Sequence, residues 1–425
     1  MKIVHISHSD SVGGAARAAY RLHRAQLKFG IESRMLVRSK KTDDWTVQGP
    51  ETRLEKIINM LRPAIGQQLN KLQISQNTNL HSGNWLPSCW ANKLNNSDVD
   101  IVNLHWVAGE TMSIEDIGRI RKPIVWTLHD MWPFCGMEHV TEYGEDARWR
   151  RGYHSDNRCD LERGIDLDKW GWLRKKKSLQ QPMHIVAPSH WMAECAKQSI
   201  LFKDLPISVI PNPLDTEVYK PLDPLFCRRA LGLPDNRKII LFGAMGGGKD
   251  RNKGYDLLLT ALDHLSTNIN VNDVFCVVFG QSQPENLPKM PFETHWFGHI
   301  YDDVTLSLLY NAAQLMVVPS RCENLPQTAT EAQACGIPVV GFKCTGLTDV
   351  IQHMQTGYLA KAYDIKDMAV GLQCLLEDPK ECKRLGTNAR LRAKKLWSCD
   401  SVIENYQEVY SIVNMHHSSK YLINN

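Results

Sequence analysis

The segment Ser320-Arg-Cys-Glu323-Asn-Leu-Pro326-Gln-Thr-Ala-Thr-Glu331-Ala-Gln-Ala-Cys-Gly336 places two carboxylates on either side of a proline and ends on a glycine. Proline suits a first helical turn, where no N–H is needed, and glycine suits the position just past a helix end. The spacing therefore predicts a helix from about Pro326 to Gly336 that carries Glu331, with Glu323 in the loop before it. Free N–H groups at a new helix start attract phosphate, and carboxylates accept the hydrogens of ribose or sugar hydroxyls. Glutamates at this spacing are also common on solvated helix faces, so spacing alone leaves that plainer reading open.

A second run, Phe242-Gly-Ala-Met-Gly-Gly-Gly-Lys249-Asp-Arg251-Asn-Lys253-Gly254, follows an apolar stretch and precedes a helical pattern. Glycines let a backbone approach phosphates, and Lys249, Arg251 and Lys253 would neutralise them. A flexible polar turn is the alternative. Gly243 to Lys249 also spells the opening of a nucleoside-triphosphatase loop, but Asp250 stands where a hydroxyl residue would hold Mg²⁺, which argues against that chemistry.

Two further features fall in the first half. Gly13-Gly14 follows the first apolar run and opens a helical pattern near Ala15, with no G-x-G-x-x-G to suggest a dinucleotide. His129, in Trp126-Thr-Leu-His129-Asp130, ends another apolar run and faces the expected cleft; on sequence alone a lone histidine there is either a hydrogen-bonded structural residue or a positioning or polarising one. The spacing of Cys135, His139, His154 and Cys159 fits no common zinc site, so no metal is expected.

These residues need elements to hold them. Short β-branched runs alternate with helical stretches in both halves, the pattern of parallel sheets covered on both faces. Strands are expected at Ile3–Ser7, Ser33–Val37, Asp100–His105, Ile124–His129 and His184–Pro188, then at Lys238–Gly243, Val274–Gly280, His295–Gly298, Leu315–Pro319 and Pro338–Phe342. A proline-rich stretch, Ile207–Pro224, reads as a linker. A chain of 425 residues exceeds one core, so the fold class is α/β with two doubly wound domains and a ligand cleft between them. The Trp- and Arg-rich stretch Thr141–Lys177 breaks the rhythm and is either a functional lid or a mobile surface loop.

Composition excludes several classes. Hydrophobic residues make up 43% and charged residues 23%, which rules out a mostly disordered chain. The net charge is +4, with a modest basic excess before Leu205, too weak to imply nucleic acid. The 12 cysteines include no C-x-x-C pair and read as small buried hydrophobes. Nothing resembles a signal peptide or a spanning helix, so a cytoplasmic location is expected. The stretch Arg53-Leu-Glu-Lys-Ile-Ile-Asn-Met-Leu-Arg62 alternates bases with apolar residues; it either packs on its own core or rests on an anionic membrane face.

In this setting Glu323 to Glu331 resembles the E-x7-E signature of the retaining glycosyltransferases of family 4, which have the GT-B fold. Thr345-Gly346-Leu347-Thr-Asp349-Val-Ile and Thr356-Gly357-Tyr-Leu are similar to that family's continuation, and Val209-Ile-Pro-Asn-Pro213-Leu-Asp215 to its interdomain connector, with Pro213 where glycine is usual. The stretches around Cys135-Gly-Met-Glu-His139, Arg148-Trp-Arg-Arg-Gly-Tyr153 and Asp166-Leu-Asp-Lys-Trp170 resemble an insertion of a branch that assembles cell-surface polysaccharides such as O-antigen.

The resemblance implies an acceptor-side domain over 1–205, a donor domain over 206–395, and a final segment, 396–425, crossing back to the first domain near the hinge. It implies that Glu331 holds the ribose of a nucleotide diphosphate sugar and that Glu323 and His129 meet the transferred sugar. Asn324 and Leu325 would offer amides, and Gly14 would lie against the donor. Lys253 would grip the diphosphate; Ala244 stands where the family's second cation is usual, leaving Arg251 or Lys249 as its substitute. The partners implied are the donor, a glycan or lipid-linked acceptor, and an anionic membrane at the inner face of the plasma membrane, with no metal or other cofactor. A nucleotide-sugar epimerase and a non-catalytic nucleotide-sugar-binding protein are the competing readings.

Overall fold

The structure is a computed structural model that describes residues 1–243, 248, 250–285 and 289–423, with side chains as far as Met415. Ala244 and Lys249 therefore lie outside the described residues. Two compact units form: Met1–Pro211 together with residues from Ile403 onward, and Asn212–Val402.

The first unit contains strands β1 (Lys2–Ser9), β2 (Glu32–Ser39), β3 (Val47–Gln48), β4 (Gln73–Ile74), β5 (Ile101–Leu104), β6 (Ile124–Thr127), β7 (Arg163–Gly164), β8 (Met183–Ala187) and β9 (Ile207–Val209). Seven of them form one sheet in the order β3-β2-β1-β5-β6-β8-β9, with every pairing parallel. β5, β6 and β8 are buried along their whole length, as a sheet covered on both faces requires. The strand order reverses between β1 and β5, where loops diverge and leave room for a ligand at the strands' carboxyl ends.

The second unit holds β10 (Lys238–Gly243), β11 (Val274–Phe279), β12 (Glu293–Gly298), β13 (Leu315–Val318), β14 (Val339–Phe342) and β15 (Gly357–Ala360) in the order β12-β11-β10-β13-β14-β15, again all parallel. Here the reversal falls between β10 and β13, so the loops that leave those two strands start side by side. The two candidate phosphate-binding stretches of the sequence follow these strands.

The structure differs from the sequence reading in four places. β3, β4, β7, β9 and β15 add strands that were not expected, and β9 lies inside the stretch read as linker. The segment Thr141–Lys177 is no loose surface loop: Trp149, Tyr153, Trp172 and Lys175 are buried in the first unit. The helix Arg53–Asn70 does not pack its apolar residues on the core; Leu54 is 66% and Met60 70% exposed, with Ile57, Ile58, Leu61 and Ile65 also exposed. Pro326 is the residue that caps the helix Gln327–Ala334 rather than part of its first turn.

The chain's last helices meet at Ser398, between Pro379–Trp397 and Cys399–Ile423. Within the first unit, Tyr406 OH lies 3.0 Å from Thr127 Oγ1, and Tyr410 OH donates to Asn103 Oδ1 at 2.7 Å.

Candidate functional site

After β10 the chain makes a short 3-10 turn, Arg251–Lys253, and enters the helix Tyr255–Ser266 through Gly254. Gly254 has φ +65, and a Cβ there would sit 2.0 Å from Pro319 O, so only glycine allows the turn to touch the loop after β13. The contact is sealed by Arg321, whose N–H donates to Asn252 O at 2.7 Å and whose guanidinium bonds Arg251 O and Asp256.

The result is a short ion pair: Lys253 Nζ lies 2.8 Å from Glu323 Oε1, which also accepts from Ser320 Oγ at 2.9 Å. Burial works against the charge on Lys253, but Glu323 outweighs it and keeps the ammonium above its ordinary pKa. An ammonium has three hydrogens, and Glu323 takes one.

The backbone of Glu323 is pinned as well. Its N–H donates to Thr345 Oγ1 at 3.1 Å, and its carbonyl accepts from Gly346 N at 2.9 Å. A Cβ on Gly346 would fall 1.5 Å from Asn324 O, so the motif Thr345-Gly346 is a rigid floor under the Glu323–Leu325 loop. The Leu325 N–H, just ahead of the helix Gln327–Ala334, has no acceptor among the described residues. At the other end of that helix Gly336 N and Ile337 N bond back to Gln333 O and Ala332 O, the glycine-terminated closure that the sequence anticipates.

Glu331 is 3% exposed, which overturns the solvated-face reading of this helix. Its Oε2 accepts from Tyr310 OH at 2.7 Å, and the Tyr310 ring packs against Tyr219 and Phe279. Arg251, by contrast, is exposed, and its side chain has no hydrogen-bond partner among the described residues. The second unit thus brings together Lys253, Glu323, Asn324 and Leu325, and sets Glu331 in the helix behind them.

In the first unit Gly14 is the first residue of the helix Gly14–Lys28, capped by Gly13. The preceding loop is tied to the end of β2 by Asp10, whose carboxylate accepts from Lys41 N, Thr42 N and Thr42 Oγ1. His129 stands two residues past β6 with Nε2 3.0 Å from His105 Nδ1. Its neighbour Asp130 accepts from Trp106 Nε1 at 2.7 Å and from His139 Nδ1 at 2.6 Å. Burial pushes the Asp130 carboxyl up, yet His139, together with the hydrogen bonds from Trp106 and the Trp132 N–H, more than offsets this and holds it below its ordinary pKa. His139 is thus engaged with an acid, and among the described residues no three His, Cys, Asp or Glu side chains are grouped to hold a metal ion.

Sequence reasoning missed His5, His105, Tyr310 and Ser320. A signal existed for the histidines: β1, β5 and β6 are adjacent, and each carries or is followed by one within two residues.

Two parallel-sheet, Rossmann-like α/β units with loops converging at the strand-order reversals define the GT-B fold. Solved structures agree. Sucrose-phosphate synthase from Thermosynechococcus elongatus is 16% identical, with 97% of this chain and 99% of that chain covered and a TM-score of 0.65. The Anabaena protein Alr3699/HepE, solved with UDP-glucose, is 16% identical with 97% and 99% covered and a TM-score of 0.64. WaaG, a glycosyltransferase involved in lipopolysaccharide biosynthesis, is 15% identical with 97% and 99% covered and a TM-score of 0.60.

Two family models match, Glycosyltransferase Family 4 over residues 12–218 and Glycosyl transferases group 1 over residues 226–392. The chain belongs to the family 4, group 1 glycosyltransferases. Among curated relatives, D-inositol 3-phosphate glycosyltransferase 1 of Catenulispora acidiphila is 31% identical over 189 residues, 41% of this chain and 44% of the relative. The D-inositol 3-phosphate glycosyltransferase of Thermomonospora curvata is 30% identical over 225 residues, 48% and 51% respectively. The chain spans about half the length of these curated relatives.

Proposed function

We propose that the chain is a retaining hexosyltransferase that moves a sugar from a nucleotide diphosphate sugar to a glycan or lipid-linked glycan, in the assembly of surface polysaccharide. The observation that carries this reading is the Lys253–Glu323 pair at the β10/β13 reversal, beside the open Leu325 N–H. A cation and an amide at a helix start are what a departing diphosphate needs, since they stabilise negative charge as it develops.

On this reading Lys253, with the Asn324 and Leu325 amides, receives the diphosphate, and Arg251 adds the second cation. Gly14 lets the helix start after β1 approach the donor. Glu331 takes the ribose hydroxyls, while Glu323 and His129 orient the sugar. The bond from the anomeric carbon to the phosphate oxygen breaks through an oxocarbenium-like state. The acceptor oxygen bonds that carbon on the same face, and its proton passes to the leaving phosphate. No protein nucleophile or metal enters these steps.

The exposed helix Arg53–Asn70 supports a peripheral membrane role for the same protein. Its apolar side chains, flanked by Arg53, Lys56 and Lys71, suit the surface of an anionic bilayer, where a lipid-linked acceptor would reside at the cytoplasmic face. No helix among the described residues is long and apolar enough to cross a membrane.

The test is thermal stabilisation by UDP, GDP and their sugars, followed by transfer to glycan acceptors with the anomeric configuration read by proton NMR. Product of retained configuration supports the reading. Inverted product, sugar conversion without an acceptor, or tight nucleotide binding without product removes it, the last two in favour of the epimerase and the binding protein respectively.

A further inference from the structure

A continuous line of hydrogen bonds crosses the first unit from the last helix to His129, and its polarity can be worked out atom by atom. Asn103 Nδ2 lies 3.3 Å from the Leu104 carbonyl and 3.1 Å from Thr127 Oγ1. A carbonyl only accepts, so the amide nitrogen faces that side and takes both of its hydrogens there. Asn103 Oδ1 then faces Tyr410 OH at 2.7 Å, and the phenol donates its one hydrogen to it.

The phenol oxygen is left to accept from Gln26 Nε2 at 2.9 Å, which turns Gln26 Oε1 towards His5 Nε2 at 2.8 Å. His5 therefore carries its hydrogen on Nε2, and its Nδ1 is bare. A neutral imidazole has one N–H, so His5 Nδ1 accepts from His105 Nε2 at 2.8 Å, and His105 Nδ1 accepts from His129 Nε2 at 3.0 Å. Asn103 Nδ2 also approaches His105 Nε2 to 3.2 Å, a donor-to-donor contact in this assignment, which both groups accommodate because their hydrogens point elsewhere.

We propose that Tyr410, Gln26, His5 and His105 are positioning residues that lock His129 in the Nε2-protonated tautomer, leaving its Nδ1 lone pair to accept a hydrogen from a ligand hydroxyl. The rings stay neutral because burial pulls His5 and His129 down to about 4 and holds His105 well below its ordinary value. A bare nitrogen lone pair repels a phosphate oxygen, so His129 selects a hydroxyl of the sugar or acceptor over the diphosphate. That ligand assignment rests on the transferase reading above; the tautomer does not.

The test is a long-range ¹⁵N–¹H NMR spectrum of the full chain with ring-labelled histidine at neutral pH, the three residues assigned through single substitutions. Pyrrole-type Nε2 and pyridine-type Nδ1 shifts are expected for His5, His105 and His129 alike. A pyridine-type Nε2 at His129 overturns the proposal, and the wild-type spectrum alone suffices for that.

Two variants probe the relay. Gln26→Glu keeps an acceptor against His5 Nε2 and retains the pattern, whereas Tyr410→Phe releases Gln26 and Asn103 and gives mixed shifts at His129. A His129 pattern unmoved by Tyr410→Phe sinks the role of the last helix. If the pattern is found but no transfer is ever detected, the function fails and the relay stands; transfer without the pattern is the reverse.

Discussion

Lys253 and Glu323 lie 70 positions apart and meet at 2.8 Å because β10 and β13, which precede them, are neighbours at the point where the strand order reverses. Removing the ammonium leaves the Glu323 carboxylate with Ser320 as its hydrogen-bond partner among the described residues, so Lys253→Ala changes stability by only about 1 kcal/mol for a partly exposed pair. Its expected effect on turnover is larger, a fall of about 10²-fold in kcat at saturating donor. Steady-state kinetics alongside a melting curve separate the two; a large Tm loss with unchanged kcat would contradict the assignment.

Gly254→Ala makes the opposite kind of demand. The new methyl meets Pro319 O, and the residue must hold a left-handed backbone, so we expect a loss of about 2 kcal/mol or more. For a unit of this size that is roughly a 4–8 °C drop in Tm, with loss of donor stabilisation because the Lys253 turn can no longer dock. A variant as stable as the parent would show that the turn sits elsewhere.

Lys175 is buried with its ammonium over the Trp132 ring and hydrogen-bonded to the carbonyls of Trp132, Cys135 and Gly136. Lys175→Met keeps the stem but leaves those carbonyls without their donor, at an expected cost of about 3 kcal/mol. Calorimetry of the first unit's transition measures it. No change in that transition would mean the carbonyls find other donors.

The buried histidines give acid sensitivity of a definite sign. Burial lowers His5 to about 4 and His23 to about 3, while in the unfolded chain each titrates near 6.5. The unfolded state therefore binds more protons below pH 6.5, and stability falls as pH drops from there towards the folded values. The slope approaches at most about 1.4 kcal/mol per pH unit for each group. Melting curves between pH 8 and 4 should show a plateau above 6.5 and a decline below it, flattened by His23→Gln; a decline confined below pH 4 would assign the effect to carboxylates.

The helix Arg53–Asn70 presents its apolar residues outward. Flotation with vesicles rich in anionic lipid should carry the wild-type chain upward, and Ile57→Asp with Leu61→Asp should reduce the floating fraction by about tenfold or more. Equal flotation on neutral vesicles would remove the electrostatic part of the reading, and equal flotation of the variant would remove the helix.

The sheets were legible because runs such as Ile124-Val-Trp-Thr and Leu315-Met-Val-Val are long enough to mark a strand buried on both faces. Ile207–Val209 was not, since the four residues between Pro206 and Pro211 are too few to show a period and only pairing with β8 reveals the strand. Glu323 and Lys253 could be singled out from their own neighbourhoods. Their contact could not, because it depends on strand order, and neither could the Tyr310 bond to Glu331, which joins a helix before β13 to one after it. The exposed helix Arg53–Asn70 reads like any amphipathic segment, and local sequence cannot say which face finds a core.

The bond from Gln26 to Tyr410 spans 384 positions of the chain. A ribosome making this protein completes the sheet of the first unit hundreds of codons before it delivers the side chain that satisfies Gln26 and Asn103. During that interval the nascent domain keeps buried amides without their phenol, while the whole second unit is translated and can fold. The last step of the first domain's assembly is thus the docking of a helix that arrives from the far end of the message.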